Sequence, residues 1–131
     1  MRIIFLSLIS LMSLSCNKDN LQILVDTEWI AKSIQQENET ILLPMADYIL
    51  SFENERQFGL RLDINICGGG VEFKKETVDF SAGIYCTKAC CDSEFANLLV
   101  QKLPENTHWK LSNDQLIFSN KKGLEIVFRK K

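Results

Sequence analysis

Residues 58–66 of this chain are FGLRLDINI, in which every second residue from Phe58 to Ile66 is large and apolar. Glycine, arginine, aspartate and asparagine stand between these apolar residues. Because successive side chains of a β-strand point to opposite faces of its sheet, this strict period of two predicts a strand with one buried face. It is the clearest strand pattern in the chain, and it stops at Cys67 and three glycines, residues 68–70.

Shorter runs on both sides of this segment also predict strands. A β-compatible run carries Trp29 and ends at a predicted turn, residues 37–39, and Pro44 limits the next apolar run to a sheet edge. Hairpins are expected around the turns at residues 74–76 and 120–123. The predicted strands are residues 27–35, 41–43, 48–53, 58–66, 71–73, 77–80, 107–111, 115–119 and 124–129.

One segment, residues 92–103, predicts a helix. Asp92 is suited to the N-cap position and Pro104 stops the segment. From Phe95 onward, apolar residues recur three and four positions apart and form one stripe that can dock on a sheet. Many short strands with one helix predict a mainly β domain, either a small antiparallel curved sheet or a barrel-like domain, with the helix packed on it.

The chain opens with a segment that we interpret as a lipoprotein signal peptide, residues 1–15. Arg2 supplies a positive start, and residues 3–14 carry no charge. A helix of that length rises about 18 Å, too little to cross a hydrocarbon core of about 30 Å. The segment ends in Ser13-Leu14-Ser15-Cys16 and resembles a lipobox, in which the cysteine thiol receives a diacylglycerol and becomes the mature N-terminus. The alternative is an ordinary signal peptide with an unmodified Cys16.

The predicted organisation is a signal peptide (1–15), a short tether (16–25) and one β-rich domain (26–131). Removal of the signal takes away Arg2 and makes the formal net charge of −2 one unit more negative. Such an acidic excess disfavours nucleic acid as a partner, because nucleic acid requires a basic face. Asn17, rather than an aspartate, follows Cys16, so an inner-membrane retention signal of the enterobacterial kind is absent. We therefore expect a lipid anchor at Cys16 in the bacterial cell envelope, at the outer membrane on its periplasmic face or at the cell surface.

Four further cysteines, in an exported chain, are expected to form disulfides. Pairing Cys67 with Cys86 would force a vicinal bridge between Cys90 and Cys91, which is strained, so we disfavour that pattern. Two patterns remain: Cys67–Cys90 with Cys86–Cys91, and Cys67–Cys91 with Cys86–Cys90. Either pattern closes a loop of about 25 residues and contributes roughly 3 kcal/mol in the chain-entropy account.

Several elements resemble, in order and spacing, the META-domain, HslJ-like family of small bacterial envelope proteins. They are an early strand with Trp29, a turn with Asn65, an element before the helix in which Ala89 and Cys90 match, and a C-terminal hairpin ending in a Phe-Arg strand. At the turn only Asn65 matches, because Ile64 stands where the family has a cysteine. The resemblance covers about residues 26–130. It implies a compact β-rich envelope domain with one helix, without established catalytic residues, in a family linked to heat or antibiotic stress.

The residues themselves point to no catalytic constellation. The cysteine cluster lacks a Cys-x-x-Cys spacing, and although Cys67, Cys86 and Cys90 or Cys91 could supply three sulfurs to zinc, an oxidising envelope favours disulfides. We therefore expect no metal and no cofactor. His108 has no nucleophile motif beside it, and the glycines 68–70 lack the Lys-Ser/Thr of a phosphate loop and are better explained by a turn or a close backbone approach.

These patterns favour a non-enzymatic lipoprotein that supports envelope integrity or stress tolerance by binding a protein or a small apolar ligand. A second hypothesis is a thiol-disulfide active envelope protein that uses Cys86, Cys90 and Cys91. A third is an inhibitor of an envelope-attacking hydrolase. The aromatic residues are expected to form the core, although a barrel could keep an apolar cavity instead.

Overall fold

The computed structural model describes residues 16–131, so the predicted signal peptide, residues 1–15, lies outside the described residues. The helices are α1 (Cys16–Asp26) and α2 (Glu94–Lys102), and a short 3-10 helix, Leu103–Glu105, follows α2. The strands are β1 (Trp29–Gln36), β2 (Glu39–Leu42), β3 (Ile49–Asn54), β4 (Gln57–Arg61), β5 (Ile66–Gly70), β6 (Glu72–Phe73), β7 (Val78–Asp79), β8 (Ile84–Cys86), β9 (His108–Ser112), β10 (Gln115–Ser119) and β11 (Leu124–Lys130).

One antiparallel sheet organises the domain. Its strands follow the order β8-β5-β4-β3-β1-β11-β10-β9, and β2 pairs with the end of β1 beyond β3. The strands β6 and β7 form a separate hairpin, which an isolated bridge between Thr77 and His108 joins to β9. The prediction of a mainly β antiparallel fold with a packed helix is confirmed. The sheet stays open between its edge strands β8 and β9, so the described residues form a sheet rather than a closed barrel.

The core lies between the inner face of the sheet and the elements that cover it. The aromatic residues expected in the core do pack there in edge-to-face contacts, for example Phe80 with Phe58 and with Phe118 at centroid distances of 5.5 and 5.6 Å. Tyr48 stacks on Phe95 of α2 at 5.2 Å and so docks the helix onto the start of β3. The aromatic prediction is therefore confirmed for the described residues, with Phe73 only half buried.

The alternating run 58–66 is two strands rather than one. Its first half is β4, which ends at Arg61, and β5 begins at Ile66 and pairs with β4 in antiparallel register. A turn joins them, in which the N–H of Leu62 donates to the carbonyl oxygen of Asn65 at 2.9 Å. The prediction of one continuous strand was wrong because aspartate and asparagine, which favour turns, happen to occupy polar positions of the same alternation.

The glycines 68–70 continue β5 instead of forming a turn. Gly69 lies opposite Ile84 of β8, and a Cβ added to Gly69 would collide with the carbonyl oxygen of Gly83. Close backbone approach, one of the two explanations offered by the sequence, is therefore the reason for glycine here.

Both helices differ in detail from the prediction. Ser93, not Asp92, caps α2, since its Oγ accepts from the N–H of Ala96 at 3.2 Å. The segment predicted as a tether forms the helix α1. Its Leu24 side chain is fully buried, and the backbone carbonyl oxygen of Leu24 accepts a hydrogen bond from Trp29 Nε1 at 3.2 Å. The helix α1 thus packs against the domain through Leu24, and the domain carries two α-helices where the sequence predicted one.

Candidate functional site

Two of the family-motif residues, Asn65 and Ala89, meet in one polar cluster. The Asn65 side chain is 6% exposed, its Nδ2 donates to the carbonyl oxygen of Ala89 at 2.7 Å, and its Oδ1 accepts from the N–H of Ala89 at 2.8 Å. The same Oδ1 accepts from Thr87 Oγ1 at 2.8 Å, and Nδ2 also donates to Asp92 Oδ2. We call these residues, Asn65, Thr87, Ala89 and Asp92, the Asn65 cluster.

The turn between β4 and β5 positions this cluster. Asp92 Oδ1 accepts from the backbone N–H groups of Ile64 and Asn65 at 2.9 and 3.2 Å. The turn is therefore held by a carboxylate that is 28 and 27 residues away from these two in sequence. Thr87 Oγ1 accepts from the N–H of Ile66 at 3.1 Å and extends the pairing of β5 with β8. The segment 87–92 is not a strand, so side chains supply hydrogen bonds that a strand would receive from the backbone of a neighbouring strand.

A second polar group, Tyr48, Asp63 and Ser93, joins the same turn to the start of α2. Tyr48 Oη donates to Asp63 Oδ1 at 3.0 Å and lies 2.7 Å from Ser93 Oγ. The N–H of Ser93 donates to Asp63 Oδ2 at 2.9 Å. Since Tyr48 has a single hydroxyl proton and gives it to Asp63, the hydroxyl of Ser93 is the donor to Tyr48.

These contacts change the ionisation of three residues. The pKa of Asp63 is lowered, chiefly by the hydrogen bond from the Ser93 N–H. For Asp92, burial opposes ionisation, but the hydrogen bonds from the Asn65 side chain and from the Ile64 and Asn65 N–H groups keep its pKa below the usual value. Burial is the main reason that the pKa of Tyr48 is raised.

The arrangement is suited to holding a loop. All four hydrogen-bonding positions of the Asn65 amide have partners within the protein, and both oxygens of Asp92 and Asp63 accept hydrogen bonds. Sequence analysis found Asn65, Ala89 and Cys90 through the family resemblance but missed Asp63, Thr87 and Tyr48. The turn-forming pair Asp63 and Asn65 was the signal that could have revealed the site.

The disulfides follow the pattern that sequence analysis disfavoured. Cys67 pairs with Cys86, and Cys90 pairs with Cys91. The physical reason is register: β5 and β8 are antiparallel neighbours, Cys67 lies directly opposite Cys86, and their Cα atoms are 4.0 Å apart. The expectation that Cys67 pairs with Cys90 or Cys91 was wrong because the register of these two strands, which the sequence does not display, decides the pairing.

The other predicted residues lie apart from the Asn65 cluster. Trp29 is buried at the start of β1, and Cys16 is the first residue of α1. His108 is half buried in β9, with Nδ1 at 2.9 Å from Thr107 Oγ1. Across residues 16–131, no three histidine, cysteine or acidic side chains are grouped as metal ligands would be. Neither α-helix of this part of the chain has the length and apolar character needed to span a bilayer.

A groove of about 910 Å³ opens at the other end of the sheet from the Asn65 cluster. It lies between α1, the tip of the β3–β4 hairpin and the edge strand β8. The residues that line it are mostly polar and include two glycines and one exposed aromatic ring; they are Gln22, Val25, Glu53, Asn54, Glu55, Arg56, Gln57, Phe58, Gly69, Gly70 and Tyr85.

With this geometry in place, comparison with known proteins identifies the family. The META domain matches this chain over residues 19–131. The chain belongs to the META domain family. This confirms the resemblance inferred from Trp29, Asn65, Ala89 and Cys90, and the match to the META domain includes most of α1. No curated protein matches this chain.

Solved structures share the fold of this META domain. A protein from Burkholderia xenovorans, solved by NMR, superimposes with a TM-score of 0.66 at 17% identity, covering 85% of this chain and 86% of that one. A DUF4847 family protein from Bacteroides vulgatus, solved by crystallography, has a TM-score of 0.64 at 13% identity and covers 82% of this chain and 94% of its own. At these identities the likeness concerns the fold alone.

Proposed function

We propose that this META domain protein is a lipid-anchored, non-enzymatic binding protein of the bacterial cell envelope that contributes to envelope integrity or stress tolerance. The observation that carries the proposal is the short distance in sequence between the lipobox-like Cys16 and the folded domain: α1 includes Cys16 and packs on the domain through Leu24, eight residues further along the chain. A lipid on Cys16 would thus be attached to a structured element.

The length of α1 sets how far the domain would stand from the membrane. From Cys16 to Leu24 the helix rises about 12 Å, at about 1.5 Å per residue. An acylated Cys16 would therefore hold the domain against the lipid surface, in contrast to the tether predicted from the sequence. Such a position suits a protein that binds envelope components.

The redox state supports the same compartment. Both cysteine pairs of the folded domain are bridged, and disulfides persist in exported proteins but are rare in the cytosol of mesophiles. Protein taken from envelope fractions is expected to gain two hydrogens per bridge on reduction, which mass spectrometry measures. Four free thiols in unreduced envelope material would contradict the proposal.

The anchor is tested by Cys16→Ala in cells supplied with an alkyne-labelled fatty acid. The natural chain should take up the label and partition into the detergent phase, because acyl chains supply its membrane affinity. The variant should lose the label and remain an unprocessed precursor. A Cys67→Ser/Cys86→Ser variant is the matched control, since it removes cysteines but leaves Cys16 and should keep the label. Labelling that persists in Cys16→Ala would disprove the anchor.

A second candidate, thiol-disulfide activity, is favoured by one observation. Cys90 and Cys91 are exposed and lie three and two residues before Ser93, which caps α2, so the positive end of the helix dipole would favour a thiolate near it. A dithiol should reduce the bridge and be oxidised to its own disulfide. The rate at which iodoacetamide then alkylates one of the two freed thiols should show an apparent pKa below about 8.5. Slow alkylation that follows an ordinary thiol titration would remove this candidate.

A further inference from the structure

The groove at the open end of the sheet has an aromatic wall that nothing in the described chain covers. Tyr85, in the edge strand β8, is 75% exposed, and its phenol end lies over Gly68, where an added Cβ would be 3.5 Å from Oη and 3.7 Å from Cζ. Tyr85 makes no aromatic pair within residues 16–131, unlike Tyr48 and most phenylalanines of the fold.

The fold fixes the strand that carries this ring. The neighbouring residue Cys86 is bridged to Cys67 in β5, and the pairing of Gly68 with Tyr85 fixes the strand that carries the ring. Gly68, directly opposite Tyr85, carries no side chain, so the phenol end of the ring lies over the backbone of β5. An exposed aromatic ring that lies over a glycine, on a strand cross-linked to its neighbour, leaves its other face free for stacking.

The facing wall offers hydrogen-bonding groups of both kinds. Gln57 carries an amide, Arg56 a guanidinium, and Glu53 and Glu55 carboxylates, and none of these charged side chains forms an ion pair among residues 16–131. The wall therefore has both donors and acceptors, and its one arginine and two glutamates leave a single excess negative charge. Such a surface disfavours phosphates and other anions, and its polar character disfavours a purely apolar ligand.

We propose that this groove binds a neutral oligosaccharide. The C–H face of one pyranose ring stacks on Tyr85, and hydroxyl groups, which both donate and accept hydrogen bonds, pair with Gln57, Arg56, Glu53 and Glu55. The groove volume of about 910 Å³ lies within the usual range for small-molecule sites. This inference specifies the ligand class of the proposed binding role and is independent of the lipid anchor.

The test is NMR titration of the mature chain, produced with Cys16→Ala and without residues 1–15, with cellotetraose and with tri-N-acetylchitotriose. At least one sugar should shift the amide resonances of Gly68, Tyr85 and Gln57 in a saturable way. Tyr85→Ala should weaken binding about tenfold or more, whereas Tyr85→Phe keeps the ring and should bind within a few-fold of the natural chain. Met45→Ala, which removes a 97% exposed side chain four residues before β3 and outside the groove, is the control and should bind normally.

Three outcomes would overturn the inference. They are absence of any shift with both sugars at about 10 mM, unchanged binding by Tyr85→Ala, and shifts of Tyr85 that depend on protein concentration without sugar, which would assign the ring to a chain–chain contact. Because the titration uses unlipidated protein, a failure here leaves the anchor proposal standing, and loss of the anchor leaves this one standing.

Discussion

A single amide side chain organises the most irregular part of this domain. Asn65 is buried, and its carboxamide replaces a strand partner for the segment that runs from β8 to α2. When all its hydrogen bonds are made, a buried amide adds little net free energy to folding, because it exchanges hydrogen bonds with water for hydrogen bonds within the protein. Removing the amide leaves several partner groups unpaired, and this costs more. The energetic importance of Asn65 therefore lies in the groups that it satisfies, chiefly the backbone of Ala89.

Asn65→Ala should lower the free energy of unfolding by about 2–4 kcal/mol, because it leaves the Ala89 N–H and C=O without their partners. Urea denaturation measures the change. The matched control is Asn97→Ala, which removes an exposed asparagine with one long hydrogen bond of 3.4 Å and should change stability by less than about 0.5 kcal/mol. Equal effects for the two variants would show that the Asn65 cluster contributes nothing special.

Stability should fall in acid through Asp63 and Asp92. Both carboxyl groups have a lower pKa in the folded chain than their usual value of 3.8, so the unfolded chain binds protons more readily as pH falls. The contribution of the two carboxylates to the free energy of unfolding is therefore complete above their usual pKa, and it is lost as the pH drops through their lower pKa values in the folded chain. The urea midpoint should decline below about pH 4.

A matched pair of variants isolates the contribution of Asp92. Asp92→Asn should be less stable than the natural chain at pH 7, and the difference should shrink towards about pH 3, where the natural carboxylate is also becoming protonated. Asp114→Asn, at an exposed residue whose side chain has no hydrogen-bond partner in residues 16–131, should follow the natural curve. An Asp92→Asn deficit that does not depend on pH would mean that charge has no part in it.

Among the elements, the β5–β8 pair shows how register decides covalent structure. The antiparallel register brings Cys67 opposite Cys86 although 19 positions separate them in sequence. Cys90 and Cys91, adjacent in sequence, enclose no intervening loop. In the chain-entropy account the stabilisation by a bridge increases with the loop that it closes, so the two bridges should differ sharply.

Cys67→Ser/Cys86→Ser should therefore lower the free energy of unfolding by about 3 kcal/mol, the value for a loop of this length. Cys90→Ser/Cys91→Ser should change it by less than about 1 kcal/mol, because the unfolded chain gains almost no freedom. Urea denaturation under non-reducing conditions compares the two. A larger loss for the vicinal pair would mean that the loop 87–92, rather than the sheet edge, depends on its bridge.

At the scale of the whole molecule, α1 makes the N-terminal segment part of the domain. Leu24 is fully buried, Trp29 donates to its carbonyl group, and the match to the META domain begins within the helix at residue 19. The helix also forms one wall of the groove through Gln22 and Val25. The core, the groove and the proposed anchor residue Cys16 are thus connected through one short element.

Leu24→Ala should cost about 2–5 kcal/mol, the usual range for removing a buried leucine, and should reduce the thermal midpoint accordingly. Ile23→Ala, at the adjacent residue with 47% exposure, is the matched control and should cost much less. Differential scanning calorimetry measures both. Indistinguishable midpoints would show that α1 behaves as the tether that the sequence predicts.

Local patterns by themselves determined much of this protein. Periods of two and of three to four residues located most of the strands, α2 and the aromatic core, because side-chain direction repeats along a single element, but they missed β8 and most of β5. The order of motifs around Trp29, Asn65 and Ala89 was sufficient to indicate the family correctly. The lipobox-like sequence at Cys16 remains a prediction at this level.

Only the tertiary structure decided which residues meet. The alternation of 58–66 could not reveal that the chain reverses at Asp63, since a turn and a strand share that pattern of polar positions. The pairing of Cys67 with Cys86 and the contact of Asn65 with Ala89 depend on the register between strands distant in sequence, which the packing of the whole sheet sets. The spacing of apolar residues specifies which face of a strand or helix is buried, whereas the register between strands specifies which residues lie opposite each other.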